Sequence, residues 1–438
     1  MCTTSWGQRS STRARPTGYP PAPGRSAGGH RFTTSTRARS SVDSDRGPLA
    51  GVRVLDFTWV LAGPYGSRIL ADLGAEVIKV QATATARGMT DGPDSPFFSV
   101  YNRNKLGISI NMRSPSGVEL AQRILAISDI VLDNFSTRVM KQWGMDYESL
   151  RPLKPDIICC SISGMGSSGP WKDYVSFGPT AQALTGFALL NGFPEKEPAG
   201  FGYSYSDHTA GTMAALAILA ALEYRDRTGK GQYIDTSQFE ATASLLGPAL
   251  LDYTVNGRSA AAQGNRHAWE IWTPHGVFPC SGEDRWIAIA VTDDDQWRRL
   301  VAIMGSPAWA QGLDTAPARE QSAATIEEHM AEWTRDRQER DLMRELSDAG
   351  IAAGVVQNGR DLADVDEQLK HRDFYVSTRR DDGTEAWFDG FPAIFSDEGF
   401  SVRRPSPALG EHNDYVFKEL LGLSDDDVVA YAAAGAFD

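Results

Sequence analysis

Residues 52–80, VRVLDFTWVLAGPYGSRILADLGAEVIKV, have the pattern of a complete strand–loop–helix–strand unit. Residues 52–57 predict a strand, residues 65–73 a helix and residues 75–80 a second strand. When a helix connects two strands, the strands pair in parallel, so the unit predicts an α/β fold with a Rossmann-like, doubly wound sheet.

This unit does not have the features of a dinucleotide site. Its first loop, TWVLAGP over residues 58–64, lacks the G-x-G-x-x-G fingerprint, and Gln81 rather than an acid follows the second strand. A pyrophosphate needs those glycines for close backbone approach, and the ribose needs the acid. We therefore expect neither NAD nor FAD here.

Further strands over residues 107–112, 129–135 and 155–163 extend the predicted sheet. The last leads into a glycine-rich loop, 164–170, which lacks the Lys-Ser/Thr pair of a P-loop and is either a turn or a ligand-facing segment. Sheets of this kind bind ligands at the carboxyl ends of their strands. Loops 58–64, 134–138 and 164–179 should meet there.

One carboxylate, Asp207, lies where a Gly/Ser/Tyr-rich loop enters a helix of small residues running to about Tyr224. One interpretation is that Asp207 or Ser206 is the helix N-cap. The other is that Asp207 is a nucleophile that forms a covalent acyl intermediate, with nearby N–H groups holding the oxyanion. The loop alone leaves both open.

The second half of the chain predicts a smaller α+β domain inserted into the large one. Beyond a helix over 239–251, the sequence loses its period around 256–273, and a hairpin (276–280 with 285–291) and three helices follow. We predict a large domain over 49–250, a small domain over 251–350 and a return segment, 351–438, with a strand at 350–357 and a helix at 414–423. His275 and His412 are expected to be structural.

Composition narrows the function classes. The chain has 438 residues and a net charge of −13, which argues against nucleic acid as a partner. No apolar run approaches a membrane span, and no Cys or His spacing suggests a metal site. Residues 1–48 are rich in Ser, Arg and Gly and predict a disordered extension or a transit peptide. The expected location is cytoplasmic, or mitochondrial if residues 1–48 act as a transit peptide.

Several motifs together resemble the family III CoA-transferases, which include formyl-CoA and carnitine CoA-transferases (the CaiB/BaiF family). They are LAGVRVLDFTWVLAGP (49–64), LGAEVIK (73–79), NKLGISINM (104–112), ILAALEYRDRTGKGQ (218–232) and LGEHN (409–413). The motifs run in family order from residue 49 to near the C-terminus.

The resemblance implies an interlaced homodimer and reversible CoA transfer (EC 2.8.3 type) from an acyl-CoA, with succinyl-CoA the expected donor, to a carboxylic acid. CoA is then a substrate, and no tightly bound cofactor is expected. Asp207, with Gly211 four residues on, matches the catalytic aspartate, although Ser206 replaces the usual glycine. The positions that match CoA contacts are Trp59, Val60, Met112, Asn134 and Phe135.

Three positions depart from the formyl-CoA transferase pattern. Leu61 replaces a glutamine beside the active site, and Ala82 and Gln142 stand where arginines would contact the CoA phosphates. Other basic residues must then hold the phosphates. The candidates are Arg87, Arg103, Lys105, Arg113 and Arg138.

Two alternatives remain at this stage. α-Methylacyl-CoA racemases share the fold but place His and Asp together in a Gly-His-Asp segment, which aligns with Ser176-Phe-Gly178 here. Phe177 and Gly178 cannot move protons, so one face of the α-carbon lacks its base. The other alternative is a CoA-binding protein with little activity.

Overall fold

Six parallel strands form the central sheet of the computed structural model, in the order β3-β2-β1-β4-β5-β6. They are β1 Arg53–Asp56, β2 Glu76–Gln81, β3 Lys105–Ser109, β4 Ile130–Asp133, β5 Ile158–Ser163 and β6 Tyr233–Ser237. This order is that of doubly wound sheets, whose ligand crevice opens where strand order reverses. The predicted α/β class is confirmed, and the reversal lies between β1 and β4.

The structure describes residues 47–82, 95–136, 138–194, 196–267, 269–379, 383, 385–397 and 399–437. The extension predicted over residues 1–48 lies almost entirely outside this part of the chain, as does Arg87.

Helices cover both faces of the large sheet because successive strand residues point to opposite sides. In β1, Val54 packs into the core on one face and Leu55 into the core on the other. Among the described residues, the helices up to residue 256 are Ala62–Asp72, Pro96–Asn102, Pro115–Ala126, Val139–Gln142, Tyr147–Leu150, Gly178–Leu184, Phe187–Leu190, Tyr205–Thr228, Gln238–Ala243 and Gly247–Asn256. The single helix predicted over 239–251 is therefore two helices, separated by a 3₁₀ turn at Ser244–Leu246.

A second, antiparallel sheet of three strands lies in the later part of the chain: β7 His275–Pro279, β8 Trp286–Ala290 and β9 Ala352–Val355. β9 pairs with β8, so the small sheet continues five residues past the boundary predicted at 350. Helices pack around these strands or follow them: Asp294–Ile303, Ala316–Gln321, Ala323–Thr334, Glu339–Asp348, Glu367–His371 and Asp425–Ala433.

The last segment of the chain packs back onto the large sheet. A hairpin of β10 Tyr375–Arg379 and β11 Glu385–Asp389 ends in a carboxylate that pairs with Arg103, 3.1 Å away. The helix predicted over 414–423 is a π-helical turn, Tyr415–Leu420, whose Tyr415 hydroxyl donates to Glu76 at 2.8 Å.

The LGEHN motif closes the free edge of β3. The Gly107 N–H donates to His412 Nδ1 at 3.2 Å, and the His412 N–H donates to the Gly107 carbonyl at 2.9 Å. The Ser109 N–H donates to Asn413 Oδ1 at 3.0 Å. An uncovered edge would leave these groups open to pairing with another chain. These bonds are in keeping with the structural role expected for His412.

Candidate active site

Asp207 lies in the first turn of the helix Tyr205–Thr228, below called the Asp207 helix. Its N-cap position is Ser204, so the prediction of Ser206 or Asp207 as the cap is wrong: the helix begins earlier than the sequence suggested. The Ser204 hydroxyl donates to Asp207 Oδ2, and the Gln238 side-chain amide donates to Oδ1 at 3.0 Å. The half-buried carboxylate thus has a separate donor on each oxygen.

A close crossing of two helices brings a third donor to Asp207. Gly66, on the helix Ala62–Asp72, faces Gly211 on the Asp207 helix. A Cβ at position 211 would lie 2.6 Å from the Ala62 carbonyl, and one at position 66 would lie 3.0 Å from the Gly211 carbonyl. Only glycine permits this approach. It brings the Ala62 N–H, at a helix N-terminus, within hydrogen-bonding reach of the carboxylate.

Gly178 packs directly against Asp207. A Cβ at position 178 would lie closer than 3.0 Å to both Ser204 Oγ and Asp207 Oδ2. The Ser206 hydroxyl donates to the Gly178 carbonyl at 3.0 Å, which holds this backbone in place. Ser206, which stands where the family usually has glycine, therefore adds a hydrogen bond that holds the Gly178 backbone beside Asp207.

Opposing effects set the proton affinity of Asp207. Burial raises the pKa of its carboxyl, and the bond from Ser204, the neighbouring His208 and the bonds from Gln238 and Ala62 N–H each lower it. The net direction is upward from the ordinary aspartate value. A carboxylate destabilised in this way is a better nucleophile than one in water.

His208 is a site residue that the sequence analysis missed. Its Nδ1–H donates to the Ser204 carbonyl at 2.7 Å, so Nε2 is the acceptor for the hydroxyls of Tyr203, at 2.7 Å, and Tyr101, at 3.3 Å. Its ring stacks on Tyr203, with centroids 4.5 Å apart. Burial lowers the pKa of His208, which keeps the ring neutral at pH 7. Adjacency to Asp207 was the one signal that could have indicated it.

The turn at Trp59 and Val60 is locked to the loop after β4. The Trp59 N–H donates to Asn134 Oδ1 at 2.9 Å, and Asn134 Nδ2 donates back to the Trp59 carbonyl at 2.8 Å. Val60 has φ of 61°, a left-handed conformation that is costly for a β-branched residue. Such strain persists only where the surroundings over-determine it, and it concentrates at functional sites.

A cavity of about 390 Å³ opens beside this turn, at the carboxyl ends of β1 to β4. Trp59, Met112, Arg113 and Phe135 line it, so the structure brings four of the predicted CoA contacts together. The loop that lines it at Trp59 continues into Ala62, which contacts Asp207.

The basic residues proposed for the phosphates divide into three groups. Arg113 is exposed at the cavity wall. Arg138 is exposed near Asp173 and is not among the lining residues. Arg103 and Lys105 are fully buried, so their selection as phosphate ligands is wrong.

Lys105 instead belongs to a buried network that supports the strained turn. Its ammonium lies 3.1 Å from Asp56, which accepts hydrogen bonds from Ser67 and from the Thr58 N–H. Burial lowers the pKa of Lys105 to about 7, although Asp56 raises it. Lys79 donates to the Thr58 carbonyl at 2.6 Å. These bonds fix Thr58, the residue before Trp59.

His275 lies outside the site. It begins β7, and its imidazole contacts the Asn265 carbonyl, in keeping with the structural role expected from the sequence. Within the described ranges, no group of three or more His, Cys, Asp or Glu residues could hold a metal ion. No helix among those described is long and apolar enough to cross a membrane.

The family model for CoA-transferase family III matches residues 49–413. The chain is 31% identical to the succinyl-CoA–D-citramalate CoA-transferase of Chloroflexus aurantiacus over 394 residues, 88% of this chain and 97% of that protein. It is 32% identical to the succinate–glutarate CoA-transferase of Agrobacterium fabrum over 387 residues, 85% of this chain and 96% of that one.

A solved structure agrees with this assignment. A CaiB/BaiF family protein from Brucella suis superimposes with a TM-score of 0.79 at 31% identity, covering 86% of this chain and all of that one. The fold is thus that of the CaiB/BaiF family. The chain belongs to CoA-transferase family III, and the family predicted from its motifs is confirmed.

Proposed function

We propose that this protein transfers CoA from an acyl-CoA to a carboxylic acid through a covalent intermediate on Asp207. The proposal rests on one observation: each carboxylate oxygen of Asp207 accepts a hydrogen bond from its own donor, Oδ2 from Ser204 and Oδ1 from Gln238. A nucleophilic carboxylate needs one oxygen to attack and a donor on the oxygen that remains.

The reaction proceeds by four acyl transfers. Asp207 attacks the thioester carbonyl of the donor, releasing CoA thiolate and forming a mixed anhydride. The thiolate attacks the aspartyl carbonyl, forming an aspartyl-CoA thioester and freeing the first acid as its carboxylate. The carboxylate of the acceptor then attacks the thioester, and the released thiolate attacks the acceptor carbonyl of the new anhydride. Acyl-CoA leaves, and Asp207 is again a carboxylate.

These four reaction steps need no net proton transfer, which suits a site in which His208 is neutral. His208 Nε2 already accepts from two tyrosine hydroxyls, so its role is to hold the loop before Asp207. When a thiolate or carboxylate attacks the aspartyl carbonyl, negative charge develops on the aspartyl oxygen. Gln238 Nε2, 3.0 Å from Oδ1, is the proposed donor to that oxyanion.

The cavity beside the turn is the proposed CoA site. Trp59, Met112 and Phe135 supply apolar walls, and Asn134 holds the turn at Val60 (Asn134 and Trp59 exchange two hydrogen bonds). Arg113, on the wall, and Arg138, exposed in the next loop, are the proposed phosphate ligands. CoA enters as a substrate, and the chemistry calls for no resident cofactor.

We propose succinyl-CoA as the donor because relatives of this chain are named for it. One acts between succinyl-CoA and D-citramalate, and the mouse succinyl-CoA:glutarate CoA-transferase is 28% identical over 433 residues, 95% of this chain and 96% of its own. The proposed acceptor class is therefore a dicarboxylic acid, within the EC 2.8.3 class of CoA-transferases.

The racemase alternative fits the site less well. It needs a second acid/base where Gly178 stands, yet any Cβ there would collide with Asp207 and Ser204. An acidic side chain at position 178 would displace the Asp207 carboxylate, the group with which it should act.

We also propose a homodimer. The helix Gly247–Asn256 buries none of its residues, although Leu250, Leu251, Tyr253 and Val255 are apolar or aromatic and exposed. Trp171, Phe177, Phe201 and Trp269 are exposed in the same part of the chain. Apolar surface on this scale marks an interface, and a second copy is its proposed partner. The cytoplasmic or mitochondrial location stays a prediction from composition.

The test is a panel of dicarboxylic acids with succinyl-CoA, in which new acyl-CoA is detected by mass spectrometry for the wild type and for Asp207→Asn. We expect transfer to at least one acid, and a loss of several orders of magnitude in kcat for the variant. Exchange of an α-proton in deuterium oxide without CoA transfer would favour a racemase. Saturable CoA binding without turnover on any acid would indicate a binding protein.

A further inference from the structure

The cavity wall contains one buried polar side chain, that of Gln81, with an oxygen to which no described residue donates. Gln81 is the last residue of β2, and its carbonyl accepts from the Ile110 N–H at 3.0 Å, so its main chain is engaged in the sheet. Gln81 is only 5% exposed, yet no described residue donates a hydrogen bond to its Oε1. Buried polar groups almost always have a partner, and one that lacks it in the free protein is suited to a ligand.

Aromatic rings surround the space that Gln81 lines. The rings of Trp59 and Phe135 lie 6.4 Å apart, and Trp143 is 5.5 Å from Phe135 and 5.9 Å from Phe57. All four residues line the cavity with Gln81. The faces of such rings bind flat aromatic groups, and stacking alone does not distinguish one flat aromatic group from another. The side-chain amide of Gln81 is the group that can distinguish one aromatic base from another.

We infer that Gln81 recognises the adenine ring of CoA, an inference that rests on the proposed function. Oε1 accepts from the exocyclic N6 amine of adenine, and Nε2 donates to the adjacent ring nitrogen, N1. A side-chain amide matches this donor–acceptor pair in a two-point contact. Arg113, on the same wall, can then contact a phosphate of the nucleotide.

The other donors on CoA suit this position less well. The two amides of the pantetheine arm lie on a flexible, non-aromatic chain and gain little from stacked rings. A comparison between β2 and its neighbour β3 separates a group that lines the cavity from one that is merely unpaired. Ser109, the register partner of Gln81, also has a buried, unpartnered hydroxyl, but it does not line the cavity. It serves as the matched control.

The experiment is calorimetric binding to the full chain, with CoA and with 1,N6-etheno-CoA, whose added ring blocks both adenine positions and leaves the base flat. We expect the wild type to bind CoA roughly tenfold more tightly than etheno-CoA. Gln81→Leu should bind CoA about tenfold more weakly than the wild type and bind both ligands equally. Gln81→Glu retains an acceptor and should keep part of the preference, and Ser109→Ala should keep all of it.

Binding separates this inference from the proposed reaction because it needs no turnover. If the wild type binds CoA but does not distinguish etheno-CoA, or if Gln81→Leu retains the wild-type preference, the role of Gln81 is wrong and the transferase proposal stands. Failure of the wild type to bind CoA at all would overturn both.

Discussion

Replacing Gly178 by alanine is the sharpest steric test of the site. The added methyl would lie closer than 3.0 Å to Asp207 Oδ2 and Ser204 Oγ. Gly178 does not have the left-handed conformation that L residues rarely adopt, so backbone strain does not contribute to the effect. The substitution therefore acts on the position of the nucleophile.

The size of the effect follows from the displacement. Ordinary van der Waals contact begins near 3.4 Å, so the carboxylate or the Ser204 hydroxyl must move. A displacement of about 1 Å in a reacting group lowers the rate about 100-fold, or about 2.7 kcal/mol in activation free energy. One extra methyl in a packed site lowers the free energy of unfolding by about 1–3 kcal/mol.

The assay measures kcat/KM with succinyl-CoA and a productive acid, beside the dissociation constant for CoA. We expect Gly178→Ala to lower kcat about 100-fold and to leave CoA affinity unchanged, because residue 178 is not in the cavity wall. Gly359→Ala is the matched control, since a Cβ there meets nothing within 4 Å. A Gly178→Ala enzyme with wild-type kcat would refute this geometry.

Two further predictions concern stability and assembly. Burial raises the pKa of Asp133 to about 6 despite bonds from Ser161 and the Phe135 N–H. The folded pKa lies above the unfolded one, so this group's stabilising contribution is present below about pH 4 and is lost as pH rises through 6. Asp133→Asn should then raise the free energy of unfolding by about 2–3 kcal/mol at pH 8 and change it little at pH 4. Denaturant titrations at both pH values measure this, and an equal change at both would contradict it. For assembly, light scattering on the eluting protein should give about twice 47.7 kDa, whereas a monomer at micromolar concentration would oppose the proposed dimer.

Local pattern was sufficient to predict the large sheet. Strands β1 to β5 each lie in a short stretch rich in apolar residues, and the helix between the first two strands forces parallel pairing. For residues 350–357 the same pattern did not indicate which strand would be the partner. Strand character was correctly expected there, but the partner, β8, depends on packing that no local signal encodes.

Asp207 was predictable as a candidate, whereas the groups that donate to it were not. Its place at the start of a small-residue helix left two interpretations open, and the resemblance to the family favoured the proposed nucleophile. Gln238 lies 31 residues further on and reaches it only because β6 returns the chain to the same sheet edge. Ala62 reaches it through the glycine crossing. Such convergence depends on the tertiary fold.

Charge in a sequence does not reveal burial. Arg103 and Lys105 were among the basic residues considered for the CoA phosphates. Arg103 pairs with Asp72 at 2.8 Å, and Lys105 pairs with Asp56. Their acidic partners lie 31 and 49 positions away along the chain, too far for a local pattern to indicate the pairs.

The central claim is that the Asp207 carboxylate itself carries the acyl group and then CoA. It is tested most directly by incubating the enzyme with succinyl-CoA and hydroxylamine and then mapping the peptides by mass spectrometry. Hydroxylamine captures an activated carboxyl as its hydroxamate, so we expect that modification on Asp207, dependent on succinyl-CoA and absent from Asp207→Asn. An active enzyme whose Asp207 stays unmodified while CoA transfer proceeds would contradict the account.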